Sequence, residues 1–306
     1  MADTRVSDIL NLTEAGVDEV FNRAAKKPRV LEYKPICREV NVGKQIGKYQ
    51  SIGNIGPAVV KPEGDAVTFR KIEQAYETTI ESTTKTNGVQ ATLEALEYDL
   101  EGVVKATFGE PLVRTMIIKK EKDVAGAYNG AFADVGADGV SILNNAHPLV
   151  NSALANDNLL TGEMSTTTIP QAKNMFNFIY DQAGEFMDTA PTHLLIHPNK
   201  LYLALQLLNS QLMALELSNT KNVLQDVHAL KIVTNRWLDY TVATDVSPWF
   251  MLDMTLDAGC VLQNFMGLQL KKWFEPETLD YRAVSWEIYG VGMVSPGYSI
   301  IGSAGS

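Results

Sequence analysis

The sequence has little cysteine, no long apolar run and no excess of positive charge. Its two cysteines, Cys37 and Cys260, are too few for a disulfide framework, so reduced thiols are expected. No window approaches the ~18 uninterrupted apolar residues of a membrane-spanning helix. The opening residues lack the basic and apolar regions of a secretory signal. Membrane insertion and secretion are therefore not expected.

The charge balance of the chain is acidic. The 306 residues carry a formal net charge of −10 at pH 7, and the pI is about 5.0. A dedicated nucleic-acid reader would normally show a basic face, so this charge argues against that class. The length fits two domains or one elaborated domain. With 45% hydrophobic and 20% charged residues, the composition indicates a folded chain.

Motifs of catalysis and cofactor binding are also scarce. His193 and His197 have neither a third ligand nor a zinc-binding spacing around them. Cys260 lies in an apolar context, which favours an inert buried thiol over a nucleophile. The glycines form no phosphate-binding pattern before a helix. We therefore predict no catalytic residue, metal or cofactor. A cytosolic α/β enzyme built on residues 139–267 is the less favoured interpretation.

The most informative segment that is present covers residues 61–99. It begins with the turn residues Pro62 and Gly64, and it continues as a polar, β-branched ribbon over residues 74–90. The period-two alternation of this ribbon predicts a strand with one moderately apolar face. A ribbon of threonines and charges cannot bury a core of its own, so it must lie against something else. This pattern indicates a protein that contacts copies of itself.

Two segments upstream of the ribbon have weak core-forming patterns. Residues 1–38 predict a weakly structured arm, either frayed or ordered on a neighbouring molecule. Residues 39–73 are rich in glycine and proline and carry only short apolar runs. A loop of this length without its own core is usually functional, disordered or an interaction arm.

Two helices are predicted after the ribbon. Thr92, Glu94 and Leu96 mark the start of a short helix that ends near Asp99. Proline suits the first turn of a helix, so a longer helix is predicted over residues 111–132. At ~1.5 Å per residue it would span ~33 Å, as expected of a spine in a plate-like subunit. Its basic side contains Lys119, Lys120 and Lys122. We expect this side to be a solvated face, and the alternative is a contact with acidic neighbours or DNA phosphates.

The middle of the chain alternates strand and helix patterns, which favours a mixed or parallel central sheet. Strands are predicted over residues 193–197, 231–234 and 249–252. A helix is predicted to begin at Thr168, with Phe176 on its buried side, and another follows Pro198. The predicted buried stripe of that second helix consists of Leu201, Ala204, Leu205 and Leu208.

The late part of the chain returns to period two. Residues 268–274 and 284–288 alternate and predict long strands. Together with the 74–90 ribbon, these strands are expected to form a second, peripheral sheet. The central α/β domain would then be an insertion between its parts.

In this order, the segments resemble the major capsid proteins of tailed double-stranded DNA bacteriophages. Residues 39–73 are similar to the extended loop of that family, and residues 111–132 are similar to its spine helix. The pair Tyr281-Arg282 resembles a tyrosine–arginine pair on a late family strand. The resemblance implies an α+β fold. Its parts are an N-terminal arm (1–38), an extended β loop (39–73), a peripheral domain with the spine helix and a β-sheet (74–138 and 268–290) and an axial α/β domain (139–267 and 291–306).

The function that the resemblance implies is structural. Copies of the chain would assemble as pentamers and hexamers into an icosahedral shell that encloses phage double-stranded DNA non-specifically. Assembly would take place in the cytoplasm of a bacterial host, with portal and scaffolding proteins as partners and a decoration protein left open. An encapsulin-like compartment shell is the alternative with the same fold. The glycine-rich loop favours the phage interpretation.

The candidate assembly residues belong to the loop, the spine helix and the late strand. They are Gly53, Gly56, Lys61, Glu63, Asp65, Lys119, Lys120, Tyr281 and Arg282.

Overall fold

The computed structural model of the chain describes residues 19, 21–27, 31–52, 58–69, 74–98, 103–209 and 230–305. Helix α1 covers residues 21–26. The later helices are α2 Leu93–Glu97, α3 Val103–Asn129, α4 Thr168–Phe176 and α5 Leu201–Asn209, with 3₁₀ turns at Gly130–Phe132 and Pro198–Lys200 and a helical turn at Pro296–Ser299. The strands are β1 Arg38–Asn41, β2 Ile46–Ile52, β3 Gln74–Glu81, β4 Thr83–Thr92, β5 His147–Pro148, β6 Ala155–Asn156, β7 Leu159–Leu160, β8 His193–Ile196, β9 Lys231–Thr234, β10 Trp249–Leu252, β11 Gly259–Glu275, β12 Asp280–Val294 and β13 Ile300–Ser303.

One sheet has four strands in the order β1-β11-β12-β4. β1 pairs with β11 in parallel, whereas β11, β12 and β4 are antiparallel neighbours. The predicted union of the ribbon with the late strands is therefore confirmed for β4. The long helix α3 packs across β12 and β4. Leu112 and Val113 of the helix share a buried cluster with Tyr281 and Ala283 of β12.

The spine helix begins earlier than predicted. It starts at Val103, so that Pro111 lies inside it rather than in its first turn. A proline removes one helical hydrogen bond, but Leu112 and Val113 immediately after it are buried, and their packing holds the helix through this position. The 27 residues of α3 make it longer than predicted, at ~40 Å. It ends at Asn129, and the 3₁₀ turn continues to Phe132.

The second sheet has five strands in the order β7-β13-β10-β8-β9. Its β8–β9 and β7–β13 pairs are parallel and the other two pairs are antiparallel, which confirms a mixed sheet. β9 and β10 occupy the predicted residues. Successive side chains alternate between the two faces: Leu194 and Ile196 of β8 pack in the cluster that contains α4 and α5, whereas Leu195 packs toward α3. Both faces of the sheet are buried, which explains its nearly continuous apolar strands.

The predicted buried stripe of α5 is partly wrong. Ala204 and Leu208 are buried as expected, but Leu205 is exposed and Leu207 takes its place in the core. The helix is apolar around most of its surface, so its pattern did not identify the side that faces the sheet. In α4, Phe176 is fully buried as predicted.

The expectation of a weakly structured N-terminal arm is wrong for the described part of residues 21–37. Phe21 and Ala24 are buried against α3 and β12. Further along, Tyr33 and Ile36 are buried in the main core beside Tyr128, whose hydroxyl donates a hydrogen bond to the Ile36 carbonyl at 2.5 Å. This order comes from contacts with distant parts of the chain, which a local pattern does not show.

The 74–90 ribbon is not a single strand of the peripheral sheet. The segment divides at Ser82. Strand β4 remains in the four-stranded sheet, whereas β3 turns away and pairs with β2. This separate two-stranded unit is the β2–β3 ribbon. Ser82 is fully buried, and its N–H donates to the Gln45 carbonyl at 2.9 Å. Just beyond β4, the predicted short helix is confirmed: the Thr92 hydroxyl accepts the Ala95 N–H at 3.3 Å and caps α2. Its expected end, Asp99, lies outside the described residues.

Candidate assembly surface

The tip of the extended loop, residues 58–69, is exposed throughout. A turn reverses the chain where the Asp65 N–H donates to the Pro62 carbonyl at 3.3 Å. Gly64 at the third turn position has a φ of 87°, a conformation that glycine adopts without steric cost. Lys61, Glu63 and Asp65 all lie on this exposed tip, and Gly53 and Gly56 lie outside the described residues.

The same tip exposes large apolar side chains. Val60 is 89% exposed and Phe69 is 91% exposed, and Val59 and Val67 are also mostly in solvent. Fully burying a valine or phenylalanine side chain is worth about 1.5–3 kcal/mol relative to leaving it exposed. A cluster of unburied apolar side chains on an extended segment is typical of a surface that another molecule covers.

The tip follows the β2–β3 ribbon, whose two strands are joined on the polar face by side-chain hydrogen bonds. Lys48 and Gln50 on β2 donate to the two carboxylate oxygens of Glu77 on β3, at 2.6 and 2.7 Å. The hydrogen bond from Lys48 and, to a smaller extent, that from Gln50 hold the pKa of the Glu77 carboxyl below its usual value. Gln50 lies directly opposite Glu77 and Lys48 lies diagonally across from it, so both contacts support the register of the two strands.

The base of the ribbon is anchored by Gln263 of β11, which is fully buried. Its amide nitrogen donates to the Ser82 hydroxyl at 2.8 Å and to the Gln45 carbonyl at 3.1 Å. Its amide oxygen accepts from the Tyr49 hydroxyl at 3.2 Å. On the apolar side, Ile80 is buried in a cluster with Val261 and Val294. The sequence pattern did not single out Gln263, because a polar residue within a strand is normally read as solvent-facing.

The two candidate lysines of the spine helix differ in their surroundings. The side chain of Lys119 is about half exposed and pairs with Asp123 on the same helix at 2.6 Å. Lys120 is largely buried and pairs with Glu287 of β12. The expectation that Lys120 lies on a solvated face is therefore wrong, because β12 covers this side of α3. Lys119 remains a candidate for subunit contact.

The two candidate residues of the late strand, Tyr281 and Arg282, also differ in their burial. Tyr281 is fully buried in the cluster that β12 forms with α1 and α3 of the same chain, so it is not available on a surface. Arg282 points to the other side of the sheet, as expected for consecutive residues of a strand. Its guanidinium contacts Glu275 at 3.2 Å and Asp280 at 3.7 Å. Of the two, only Arg282 remains a candidate for contact with another subunit.

A second exposed apolar patch lies on the loop after α4. The rings of Phe178 and Phe186 are both mostly exposed and lie 6.4 Å apart, and the Tyr180 ring lies 4.8 Å from Phe186. The loop is tied to β6 because the Asn156 side-chain amide exchanges two hydrogen bonds with the backbone of Tyr180 at 2.8 Å. The patch is thus held on a fixed backbone.

The histidines serve structural roles in the described parts of the chain. His147 is buried between the Asp138 carboxylate at 2.5 Å and the Asn158 amide oxygen at 3.0 Å. His197 caps the turn that follows β8 by accepting the Asn199 N–H at 3.2 Å, and burial lowers its pKa. Among the residues that the structure describes, no group of three or more potential ligands could hold a metal ion, and no helix is long and apolar enough to cross a membrane.

Comparison with known proteins agrees with this arrangement. The model of a family described as phage capsid protein matches residues 75–297. No curated protein matches the chain. A capsid chain of cyanophage Pam1 is similar in structure, with a TM-score of 0.54, 13% identity and coverage of 92% of this chain and 95% of that chain.

Two further solved structures show the same likeness. The mature capsid of bacteriophage PhiM1 gives a TM-score of 0.55 at 10% identity and covers 91% of this chain and 88% of that chain. The holo-SrpI encapsulin complex of Synechococcus elongatus gives 0.54 at 10% identity, with coverage of 91% and 90%. At these identities the likeness concerns the fold.

Proposed function

We propose that copies of this chain, which belongs to the phage capsid protein family, assemble as pentamers and hexamers into a closed icosahedral shell. As a member of this family, the chain is a structural protein of the virion rather than an enzyme. The α+β capsid fold expected from the sequence is confirmed. The finer assignments, which are the oligomeric arrangement, the contents and the partners, are our proposal.

The observation that carries the proposal is the exposed loop tip on an anchored ribbon. Val60 and Phe69 are almost fully exposed, while the base of the ribbon is fixed by Gln263 inside the subunit. An apolar tip that extends from an anchored ribbon is suited to lie on a neighbouring copy. Repeated around each ring, such contacts would add up to a stable shell. The polar residues Lys61, Glu63 and Asp65 would form the rim of this contact.

The proposed content of the shell is double-stranded DNA, held without sequence specificity. The net charge of −10 suits a wall that contains DNA without gripping it. Portal and scaffolding proteins are the proposed partners, and the cytoplasm of a bacterial host is the proposed place of assembly. We also propose that the chain is divided into arm, extended loop, peripheral domain and axial domain. Strands β11 and β12 run through both of the larger domains.

An encapsulin-like compartment is the second candidate, because the likeness to the SrpI encapsulin complex is as strong as that to the phage capsids. The two candidates differ in content: a compartment would enclose an enzyme, whereas a phage head encloses DNA. The family match favours the phage head. Nuclease-protected DNA in particles from infected cells would support it, and particles filled with a single enzyme would support the compartment.

Electron microscopy of the purified protein tests the assembly itself. We expect closed shells of uniform size. Val60→Asp and Phe69→Asp should leave the thermal unfolding of the dispersed subunit unchanged, because both side chains are exposed there, but should prevent shells from closing. Tyr202→Asp, which replaces an exposed side chain on α5, is the control and should assemble. A compact monomer or dimer under all conditions, or normal shells from both loop variants, would contradict the proposal.

A further inference from the structure

The two cysteines of the chain are neighbours in the fold although they are far apart in the sequence. Both are buried and free, and the Cys260 thiol donates a hydrogen bond to the Cys37 sulfur over a distance of 3.2 Å. No other cysteine is present, so these two thiols can form an intrachain bond only with each other.

The backbone places the two residues side by side. The parallel pairing of β1 with β11 begins at Arg38 and Val261. Cys37 and Cys260 are the residues that come directly before Arg38 and Val261, so they lie next to each other at the start of this strand pair. Neighbouring strands lie about 4.8 Å apart, and the Cα atoms of a disulfide are about 4.4–6.8 Å apart. The two sulfurs therefore need only a small approach, without movement of the strands.

A bond at this position would join two distant parts of the subunit. Cys37 ends the segment 31–37, which crosses α3 and is held there by hydrogen bonds from Tyr128 to Ile36 and from the Glu32 N–H to the Glu121 carboxylate. Cys260 lies at the start of β11, in the buried cluster that also contains Tyr128. A cross-link would secure the N-terminal segment to the four-stranded sheet and close a loop that contains most of the chain.

We propose that Cys37 and Cys260 form a disulfide when the protein meets a small oxidant, and that this bond locks the N-terminal segment onto the subunit. The hydrogen bond that it shares with the Cys260 thiol, together with burial, raises the pKa of the Cys37 thiol. Little thiolate is then present at neutral pH, so the bond forms slowly. The two thiols remain reduced in a reducing compartment and become linked after longer exposure to an oxidising one.

The chemistry balances with a peroxide as the oxidant. One cysteine, as its thiolate, attacks an oxygen of hydrogen peroxide; the O–O bond breaks and a sulfenic acid and hydroxide result. The second thiolate attacks the sulfenic sulfur, forms the S–S bond and expels a second hydroxide. The two protons lost by the thiols convert both hydroxides to water. Overall, two thiols are oxidised by two electrons and one peroxide is reduced to two waters.

The biological role of this bond rests on the proposed function. A shell assembled in a reducing cytoplasm would carry thiols, and the same shell released from the cell would meet dissolved oxidants. Oxidation would then stabilise subunits that no longer need to rearrange. Formation of the bond itself does not depend on assembly, so it is measurable on dispersed subunits as well as on particles.

The experiment treats the reduced, purified protein with hydrogen peroxide under native conditions and maps its tryptic peptides without reduction. We expect the peptides that contain Cys37 and Cys260 to appear linked, with the loss of two hydrogen atoms from the intact mass. The unfolding temperature should rise by about 5 °C or more, and dithiothreitol should reverse this rise. Cys260→Ser, and Cys37→Ser as a second variant, should show no rise, which separates the effect from methionine oxidation.

The contrary results are equally defined. Cysteines that remain as thiols or proceed to sulfinic acid without linkage, linkage that requires denaturant, or cross-links between chains on a non-reducing gel would overturn the proposal. The map is repeated on assembled particles. If shells do not form but the intrachain bond does, the proposed function fails and the disulfide stands. If shells form but their subunits are never linked, the disulfide fails and the proposed function stands.

Discussion

Lys120 on the spine helix forms an ion pair with Glu287 on β12 in which the two side chains are only 13% and 9% exposed. The same ammonium group lies 5.1 Å from the centre of the Tyr289 ring. The Tyr289 hydroxyl in turn donates a hydrogen bond to the Asp123 carboxylate of the helix at 2.8 Å. The contact between helix and sheet therefore includes a polar cluster, in which each of these charges is paired inside the subunit.

We expect Lys120→Ala to lower the free energy of unfolding by about 3–5 kcal/mol, because Glu287 would remain as an unpaired buried charge. Lys119→Ala is the matched control. Its side chain is 51% exposed, and its loss should cost less than about 1 kcal/mol. The double variant Lys120→Met with Glu287→Leu should recover most of the loss. Chemical denaturation measures all of these, and equal effects of the two lysines would disprove the assignment.

A second prediction concerns the buried carboxyl of Glu121. Burial raises its pKa to about 7, above the ordinary value of 4.5. Its Oε1 accepts the Glu32 N–H at 2.8 Å, and its Oε2 has no hydrogen-bond partner among the described residues. The folded chain therefore prefers the neutral acid. The stabilising contribution is complete below the unfolded pKa and is lost as the pH rises through about 7.

The free energy of unfolding should accordingly fall by about 2 kcal/mol between about pH 5 and pH 8 as a result of this one group. Glu121→Gln should flatten that part of the pH profile, while Glu63→Gln on the exposed loop should leave it unchanged. Urea denaturation at a series of pH values gives the comparison. A Glu121→Gln protein with the same slope as the parent would rule out Glu121 as its source.

The third prediction contrasts two apolar residues of helices α4 and α5. Phe176 of α4 is fully buried, whereas Leu205 of α5 is 37% exposed. Phe176→Ala should lower the free energy of unfolding by about 3–5 kcal/mol, because it leaves a cavity between helix and sheet. Leu205→Ala should cost clearly less. Thermal and denaturant unfolding are the measurements, and a larger loss for Leu205 would mean that the sheet-facing side of α5 is misassigned.

The fourth prediction concerns the crossing of β3 over β12. A Cβ on Gly290 would lie 2.5 Å from the backbone oxygen of Glu81, so Gly290→Ala must push the two strands apart. The expected loss of stability is about 1–3 kcal/mol, together with looser attachment of the ribbon that carries the loop. Gly267→Ala, where no atom lies within 4 Å of the new Cβ, is the control. Hydrogen exchange at β3 should accelerate only in the Gly290 variant.

Local pattern in the sequence determined much of the architecture. The strands Lys231–Thr234 and Trp249–Leu252, the capped helix after Thr92 and the long late strands all lie where their periodicity predicts them. Because alternation and capping depend on residues that are close in the chain, both can be recognised from a single sequence. The order of these elements also identified the family, which the match over residues 75–297 confirms.

Tertiary structure alone decided which side of each element is covered, and by what. Periodicity marks an apolar or polar side relative to the element's own axis. It does not show that β12 buries Lys120, that α1 and α3 cover Tyr281, or that Gln263 holds the base of a ribbon almost two hundred residues away. The closeness of Cys37 to Cys260 belongs to the same class. Each depends on pairing between segments far apart in the chain, where the partner's position is set by the whole core rather than by neighbouring residues.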